Sequence, residues 1–347
     1  MTRFPLQPPG LDPAPIFEAF RGSHATELLC CAVAHLHLFE RLAEQPQSED
    51  DLGRQLELAP RARIVLLTAL RAMGLLARSG DGHVTLTESA RVHLLPDSPY
   101  SIGDYIGLAA DSPGVLAMLE RLRTNLPAGT APDEDGAAFI YREGLESAME
   151  KESAARRLTL ALAGRGRNVA PVLAQVHPLA DARLLLDVGG GSGYYAIAYL
   201  ERFPQLRAIV WDRPEVLKVA SELADEAGVA DRLECVPGDM FRDALPGSPD
   251  VVLLSNVLHD WDVPECRALV QKCAVAEELL IHDVFLNDAL DGPLPIALYS
   301  AALFSLTEGR AYSVAEYSGW LTEAGLASGP VKPTLAHCGV LPARPIR

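Results

Sequence analysis

The stretch Leu184-Leu185-Leu186-Asp187-Val188-Gly189-Gly190-Gly191-Ser192-Gly193 combines residue types that together can do chemistry. A short apolar run ends in an acid, and glycines then alternate as Gly189, Gly191 and Gly193 before a helix-like stretch at 194–202. Glycine turns a backbone sharply with positive φ and lets a ligand approach where a Cβ would block it. Strand, glycine loop and helix in that order put the turn at the carboxyl end of a parallel sheet, where open α/β folds bind their ligands. A second acid, Asp212, closes the next apolar run twenty-five residues after Asp187. That is near the spacing of about twenty at which a carboxylate holds a ribose diol. The pattern predicts a nucleoside site.

A dinucleotide fingerprint would need another glycine six residues past Gly189, and Tyr195 stands there. Acid-x-Gly-x-Gly-x-Gly suits a nucleoside without a pyrophosphate, whose amino-acid end lies along the loop; S-adenosylmethionine is that ligand. After the third strand, Pro237-Gly238-Asp239-Met240 places a carboxylate where it could accept from an adenine amino group, with Met240 and Phe241 as apolar surface for the ring. The fourth strand ends in Ser255-Asn256-Val257-Leu258-His259-Asp260-Trp261. Methyl transfer to oxygen is an in-line displacement at a sulfonium, and the hydroxyl must lose its proton as the bond forms. A positioned imidazole of pKa about 6.5 serves a phenol of pKa about 10 in that role. No metal is needed, and no paired-carboxylate metal site is apparent.

Composition sets the frame for these residues. The chain has 347 residues, 49% of them apolar, which suits two domains. Lys+Arg 30 against Asp+Glu 46 gives −16, a charge that repels nucleic acid and anionic membrane. No apolar run approaches the ~18 residues of a membrane span. Prolines at 5, 8, 9, 13 and 15 interrupt the start, so a cytoplasmic protein is expected. Six cysteines form no C-x-x-C pair and read as buried reduced thiols.

The elements follow from periodicity. Helical spacing runs from about 16 to 43, a capping box opens a helix at Ser48-Glu49-Asp50-Asp51, and Pro60 starts another. A hairpin follows, from Leu75-Leu76-Ala77-Arg78 to His83-Val84-Thr85-Leu86-Thr87. Helices followed by a hairpin form a winged-helix pattern. Residues 105–180 read as helical apart from a loop near 127–136, with two helices over 139–175. From 182 strands alternate with helices: strands near 184–188, 207–211, 232–236, 250–254 and 279–284, a helical piece at Gly319–Leu326, and last strands near 329–342. The expected fold is α/β, a doubly wound, mostly parallel Rossmann-like sheet behind a mainly helical front half.

These motifs together resemble the small-molecule O-methyltransferases of the plant caffeate and acetylserotonin type and their bacterial relatives in antibiotic biosynthesis. The resemblance spans nearly the whole chain and adds Trp211-Asp212-Arg213-Pro214 and Glu323-Ala324-Gly325-Leu326 to the segments above. It implies that Asp212 binds the ribose, that Asp239 and Met240 hold the adenine, and that His259 is the catalytic base, oriented by Asp283. The donor site it implies takes in Asp187, Gly189, Gly191, Gly193, Arg213, Gly238, Phe241, Ser255, Asn256 and Trp261. An acceptor pocket is expected from the helices of 139–175 and 294–306, with Tyr141, Met149, Asp260, Tyr299 and Leu303. Two positions depart from the family: Ala311 stands where a second glutamate is usual, with Glu308 three residues upstream, and Ser255 replaces a common lysine.

The domains expected are 1–104 for dimerisation, 105–180 as a helical linker lining the acceptor pocket, and 181–347 for methyl transfer, in a homodimer. Two other readings remain open. A relative using the same donor site could assist hydroxylation or decarboxylation of a natural product. A winged-helix regulator sensing a nucleoside is the other, but Pro60–Leu67 offers few basic side chains and an apolar face better suited to another subunit.

Overall fold

The structure, a computed structural model, describes residues 7–127 and 152–346. These form two compact units: one of 7–17, 152–285 and 314–346, the other of 18–127 and 286–313. These units do not coincide with boundaries at 104/105 and 180/181. The helix at 152–176 goes with the C-terminal residues, and 286–313 with the N-terminal ones.

The helical unit contains the expected hairpin, β1 (Leu76–Arg78) antiparallel to β2 (Val84–Leu86). The region 16–43 divides into α1 (Ala14–Arg21), α2 (Ser23–Cys30), a π-helical turn over Cys31–His35, and α3 (Leu38–Glu44). α4 (Glu49–Gln55) is capped as the box anticipates, Ser48 Oγ accepting from Asp51 N at 3.1 Å. α5 (Pro60–Ala72) carries the three arginines that a nucleic-acid reading would need, and all three are engaged inside the unit. Arg61 donates to the carbonyls of Asn125, Thr307 and Gly309 at 2.7, 2.8 and 3.1 Å. Arg71 donates to Leu290 O at 2.9 Å and to Glu49 at 2.7 Å, and Arg63 pairs with Asp50 at 2.5 Å. The apolar face of α5 lies against the helix Leu294–Leu306 of the same chain. Its expected partner, another subunit, is thus replaced by an intrachain helix that is apolar on every side and needs cover.

The other unit is built on a sheet. Five parallel strands run in the order β7-β6-β3-β4-β5: β3 (Leu184–Val188), β4 (Arg207–Asp212), β5 (Leu233–Pro237), β6 (Val251–Ser255) and β7 (Glu278–Leu286). Every residue of β6 is buried, as the continuous apolar run of a strand covered on both faces requires. Beyond β7 the sheet turns antiparallel, with Cys338–Pro345 beside it flanked by Lys332–Pro333 and Leu326–Ser328. The expected helix at Gly319–Leu326 lies earlier, at Val314–Glu323, because Gly325 at φ 79° ends it and Leu326 already belongs to a strand. One long helix, Glu152–Val176, covers the described part of the region read as two helices. Pairing of Val188 with Trp211, Asp212 with Pro237 and Ser255 with His282 brings the carboxyl ends of the strands to one edge. Among the described residues no helix is long and apolar enough to cross a membrane.

Candidate active site

The glycine loop leaves β3 at that edge. Gly189, Gly191 and Gly193 have φ of 62°, 60° and 72°, so the alternation in sequence is an alternation of left-handed residues. A Cβ at Gly191 would meet nothing within 4 Å, whereas one at Gly190 would lie 2.7 Å from the Asp187 carboxyl carbon. The loop is therefore open at Gly191 and closed over Asp187. Asp212 ties it down: its Oδ2 accepts from Gly191 N at 2.8 Å and its Oδ1 from Arg213 N at 2.7 Å. Burial raises the Asp212 carboxyl above its ordinary range, against the pull of the Arg213 and Gly191 amides. Asp187 is wholly buried, and neither carboxylate oxygen receives a well-formed hydrogen bond. Burial, then the neighbouring Asp212 charge, push it up to about 7, only partly opposed by the Ala196 amide.

The second segment is the loop after β5. Asp239 was expected to reach the adenine amino group. Its Oδ1 is engaged within its own turn, accepting from Phe241 N at 2.8 Å and Arg242 N at 3.2 Å, while its Oδ2 lies 3.8 Å from Arg242 Nε. Gly238 is required for close approach, since a Cβ there would collide with the Trp211 indole nitrogen. Met240 Sδ comes within 3.9 Å of the same test position at Gly189, and Val257 within 3.1 Å, so an apolar wall faces the glycine loop. Phe241 meets Trp261 edge-on, centroids 4.6 Å apart.

The third segment carries His259, on a short 3₁₀ turn after β6 that begins once Asn256 has bent the chain with φ 56°. His259 Nδ1 lies 2.5 Å from Asp283 Oδ1, and both side chains are almost wholly buried. A carboxylate at that distance favours the tautomer with the proton on Nδ1, in which Nε2 is the basic nitrogen. Asp283 also accepts from Val284 N at 2.8 Å and from the Tyr317 hydroxyl at 3.2 Å. Burial would raise it, yet His259 and the Val284 amide hold it below the ordinary carboxylate range. Asp260 Oδ1 is 3.7 Å from His259 Nε2, and burial raises its carboxyl to about 6.

Behind this turn Ser255 Oγ meets His282 Nδ1 at 2.8 Å, and His282 Nε2 meets Thr334 Oγ1 at 3.1 Å. Asn256 Nδ2 donates to Ser255 Oγ at 3.1 Å and to the Tyr195 hydroxyl at 3.2 Å. His282, read from the sequence as a histidine without company, sits in β7 beside Asp283; burial and then Arg165 lower it to about 3, so it stays neutral. Sequence reading missed Tyr317, Arg165 and Tyr195, since nothing in their local pattern marks them. Tyr299 and Leu303 lie in the helical unit, where Arg21 stacks 3.6 Å over the Tyr299 ring and Leu303 is buried. Ala311 and Glu308 belong to that unit too, and Ala311 donates its N–H to Ser300 at 3.1 Å. Tyr141 and Met149 fall outside the described residues. Among the described residues no group of three or more His, Cys, Asp or Glu side chains could hold a metal ion.

These residues fit S-adenosylmethionine. Two carboxylates with raised proton affinity, the buried Asp187 and the half-buried Asp212, favour a cationic ligand, Asp212 keeps acceptor capacity for a diol, and the Met240–Val257 wall suits a ring. Residues 147–327 match the family described as O-methyltransferase domain. The chain is 34% identical to a 3-hydroxy-5-methyl-1-naphthoate 3-O-methyltransferase of Streptomyces sahachiroi, over 92% of this chain and 90% of that protein. It is 31% identical to the acetylserotonin O-methyltransferase of Bos taurus, over 85% and 87%. A crystal structure of an O-methyltransferase family 2 protein from Planctomyces limnophilus, in complex with apigenin, is 48% identical with a TM-score of 0.88 over 98% of both chains.

Proposed function

This chain belongs to the O-methyltransferase family and is an S-adenosylmethionine-dependent enzyme of natural-product type, and from that premise we propose that it methylates a phenolic hydroxyl of a small planar aromatic acceptor, without a metal, using His259 as general base. The observation that carries this reading is the pairing of His259 Nδ1 with Asp283 at 2.5 Å, which leaves Nε2 as the proton acceptor. When bound, S-adenosylmethionine supplies a methyl group on a positively charged sulfur, activated toward an oxygen nucleophile. Asp187, Asp212, Asp239, Met240, Phe241 and the glycine loop hold that donor, with Gly193, Arg213, Gly238, Ser255, Asn256 and Trp261 shaping its surroundings.

The acceptor hydroxyl gives its proton to His259 Nε2 as the new bond forms. The Asp283 carboxylate then faces an imidazolium, and the Val284 and Tyr317 donors keep that carboxylate ionised so it can stabilise the charge. Asp260 lies beside His259, and its carboxyl, raised to about 6, is ionised above that pH and then favours the imidazolium. Flavones and hydroxynaphthoates are the acceptor classes to try first, since similar proteins are described with apigenin and a naphthoate. Incubation with S-adenosylmethionine and a panel of both is expected to give products heavier by one methylene group, and none from acceptors whose hydroxyls are already methylated. Equal products from both sets would contradict transfer to oxygen.

Pairing of two copies through the helical unit is part of the same reading, supported by the exposure of Phe20, Tyr100, Tyr105 and Leu108 at 80%, 69%, 77% and 82%.

A further inference from the structure

We propose that Lys272 is a positioning residue for the donor site, holding the loop Gly238–Asp243 in its binding form; this rests on reading that loop as part of the donor site. Lys272 stands in the last turn of the helix Val263–Cys273, twenty-nine residues beyond the end of that loop. Its Nζ donates to Met240 O at 2.6 Å, Phe241 O at 3.0 Å and Asp243 O at 2.8 Å. An ammonium has three N–H donors and no acceptor. All three are matched, one to one, by carbonyls of a single turn.

The other side of that turn closes on itself. Asp239 N donates to Asp243 Oδ2 at 2.8 Å, Asp243 N to Asp239 O at 2.9 Å, and the Phe241 and Arg242 amides bond to Asp239 Oδ1. Three of these amides are thus gathered by carboxylates and the fourth by the Asp239 carbonyl, which leaves the carbonyls of Met240, Phe241 and Asp243 converging on one point. Converging oxygens repel unless a cation sits among them, and Lys272 supplies it. The Trp211 ring, whose indole leaves no room for a Cβ at Gly238, lies 5.9 Å from the same ammonium. At its opposite end this helix starts after Asp262, directly behind Trp261, whose ring meets Phe241. The loop is therefore held from two sides, by the Phe241 ring on Trp261 just before the helix and by three carbonyls on Lys272 in its last turn.

With its protons engaged by the loop, Lys272 acts on the donor through Asp239, Met240 and Phe241. Its loss lets the turn sample other forms, and the donor must then select the binding one. The effect belongs to donor affinity, not to the methyl-transfer rate. The test measures binding of S-adenosylhomocysteine and of 5′-methylthioadenosine, which lacks the amino-acid end, by calorimetry, alongside kcat at saturating donor. Lys272→Met is expected to weaken both ligands by the same factor, roughly tenfold, with kcat within about twofold. Lys272→Arg keeps the charge but cannot converge three donors on one point; it is expected to show the same pattern at about threefold, and carries the test if the Met variant does not fold. A folded variant that binds both ligands like wild type overturns the proposal, as does one that weakens S-adenosylhomocysteine alone. A wild-type chain that binds neither ligand overturns the donor reading itself.

Discussion

Asp187 and Asp283 are both sealed from water, yet they are driven in opposite directions. Asp187 has no well-formed donor to either oxygen and rises to about 7. Asp283 receives an imidazole, an amide and a phenol and falls below its usual range. Donors decide whether a buried carboxylate keeps its charge. The consequence for Asp187 has a definite sign. Its folded value of about 7 exceeds the ordinary 3.8, so the stability it contributes is complete below about 4 and is lost as pH rises through 7. Asn carries no such titration. The melting-temperature advantage of donor-free Asp187→Asn over wild type is expected to grow from pH 5 to pH 8, while its S-adenosylhomocysteine binding falls. An advantage that is flat with pH would show that Asp187 stays ionised.

The strands were legible from sequence because parallel interior strands are continuous apolar runs: 184–188 was read residue for residue, and the others were placed to within one or two positions. The glycine loop and the His259 turn were legible because each is local. Tyr317 and Lys272 were not. The first is thirty-four residues from Asp283 and the second thirty-two from Met240, and only packing of helix on sheet brings either pair together. The role of α5 was misread for the same reason: its apolar face was visible, but the helix at 294–306 that covers it lies more than two hundred residues away. That packing has a price if broken. Arg61→Met would leave the buried carbonyls of Thr307 and Gly309 without their donor, and is expected to cost about 2–4 kcal/mol in chemical denaturation. Arg63→Met, whose partner Asp50 is largely exposed, is expected to cost under about 1 kcal/mol. Equal costs would show that Arg61 contributes no more than a surface pair.

The whole chain's net charge of −16 works against phosphate binding, and the three arginines of α5 are engaged inside their own unit. Among that unit's exposed side chains are the large apolar Phe20, Tyr100, Tyr105 and Leu108. Light scattering after gel filtration is expected to give twice the chain mass of 37.3 kDa, and Tyr105→Glu with Leu108→Glu to shift it to one chain. A wild-type monomer at micromolar concentration would remove the homodimer from the account. The sheet-bearing half holds every residue assigned to donor and base.

The central claim is that an imidazole fixed by Asp283 takes the acceptor's proton. Single-turnover methyl transfer to an acceptor identified from the flavone and naphthoate panel, compared between wild type and His259→Ala with S-adenosylhomocysteine affinity measured on both, tests it most directly. The rate is expected to fall by roughly 10²–10⁴ with affinity changed less than about threefold. An undiminished rate in the alanine variant would contradict the claim and leave proximity alone to account for transfer.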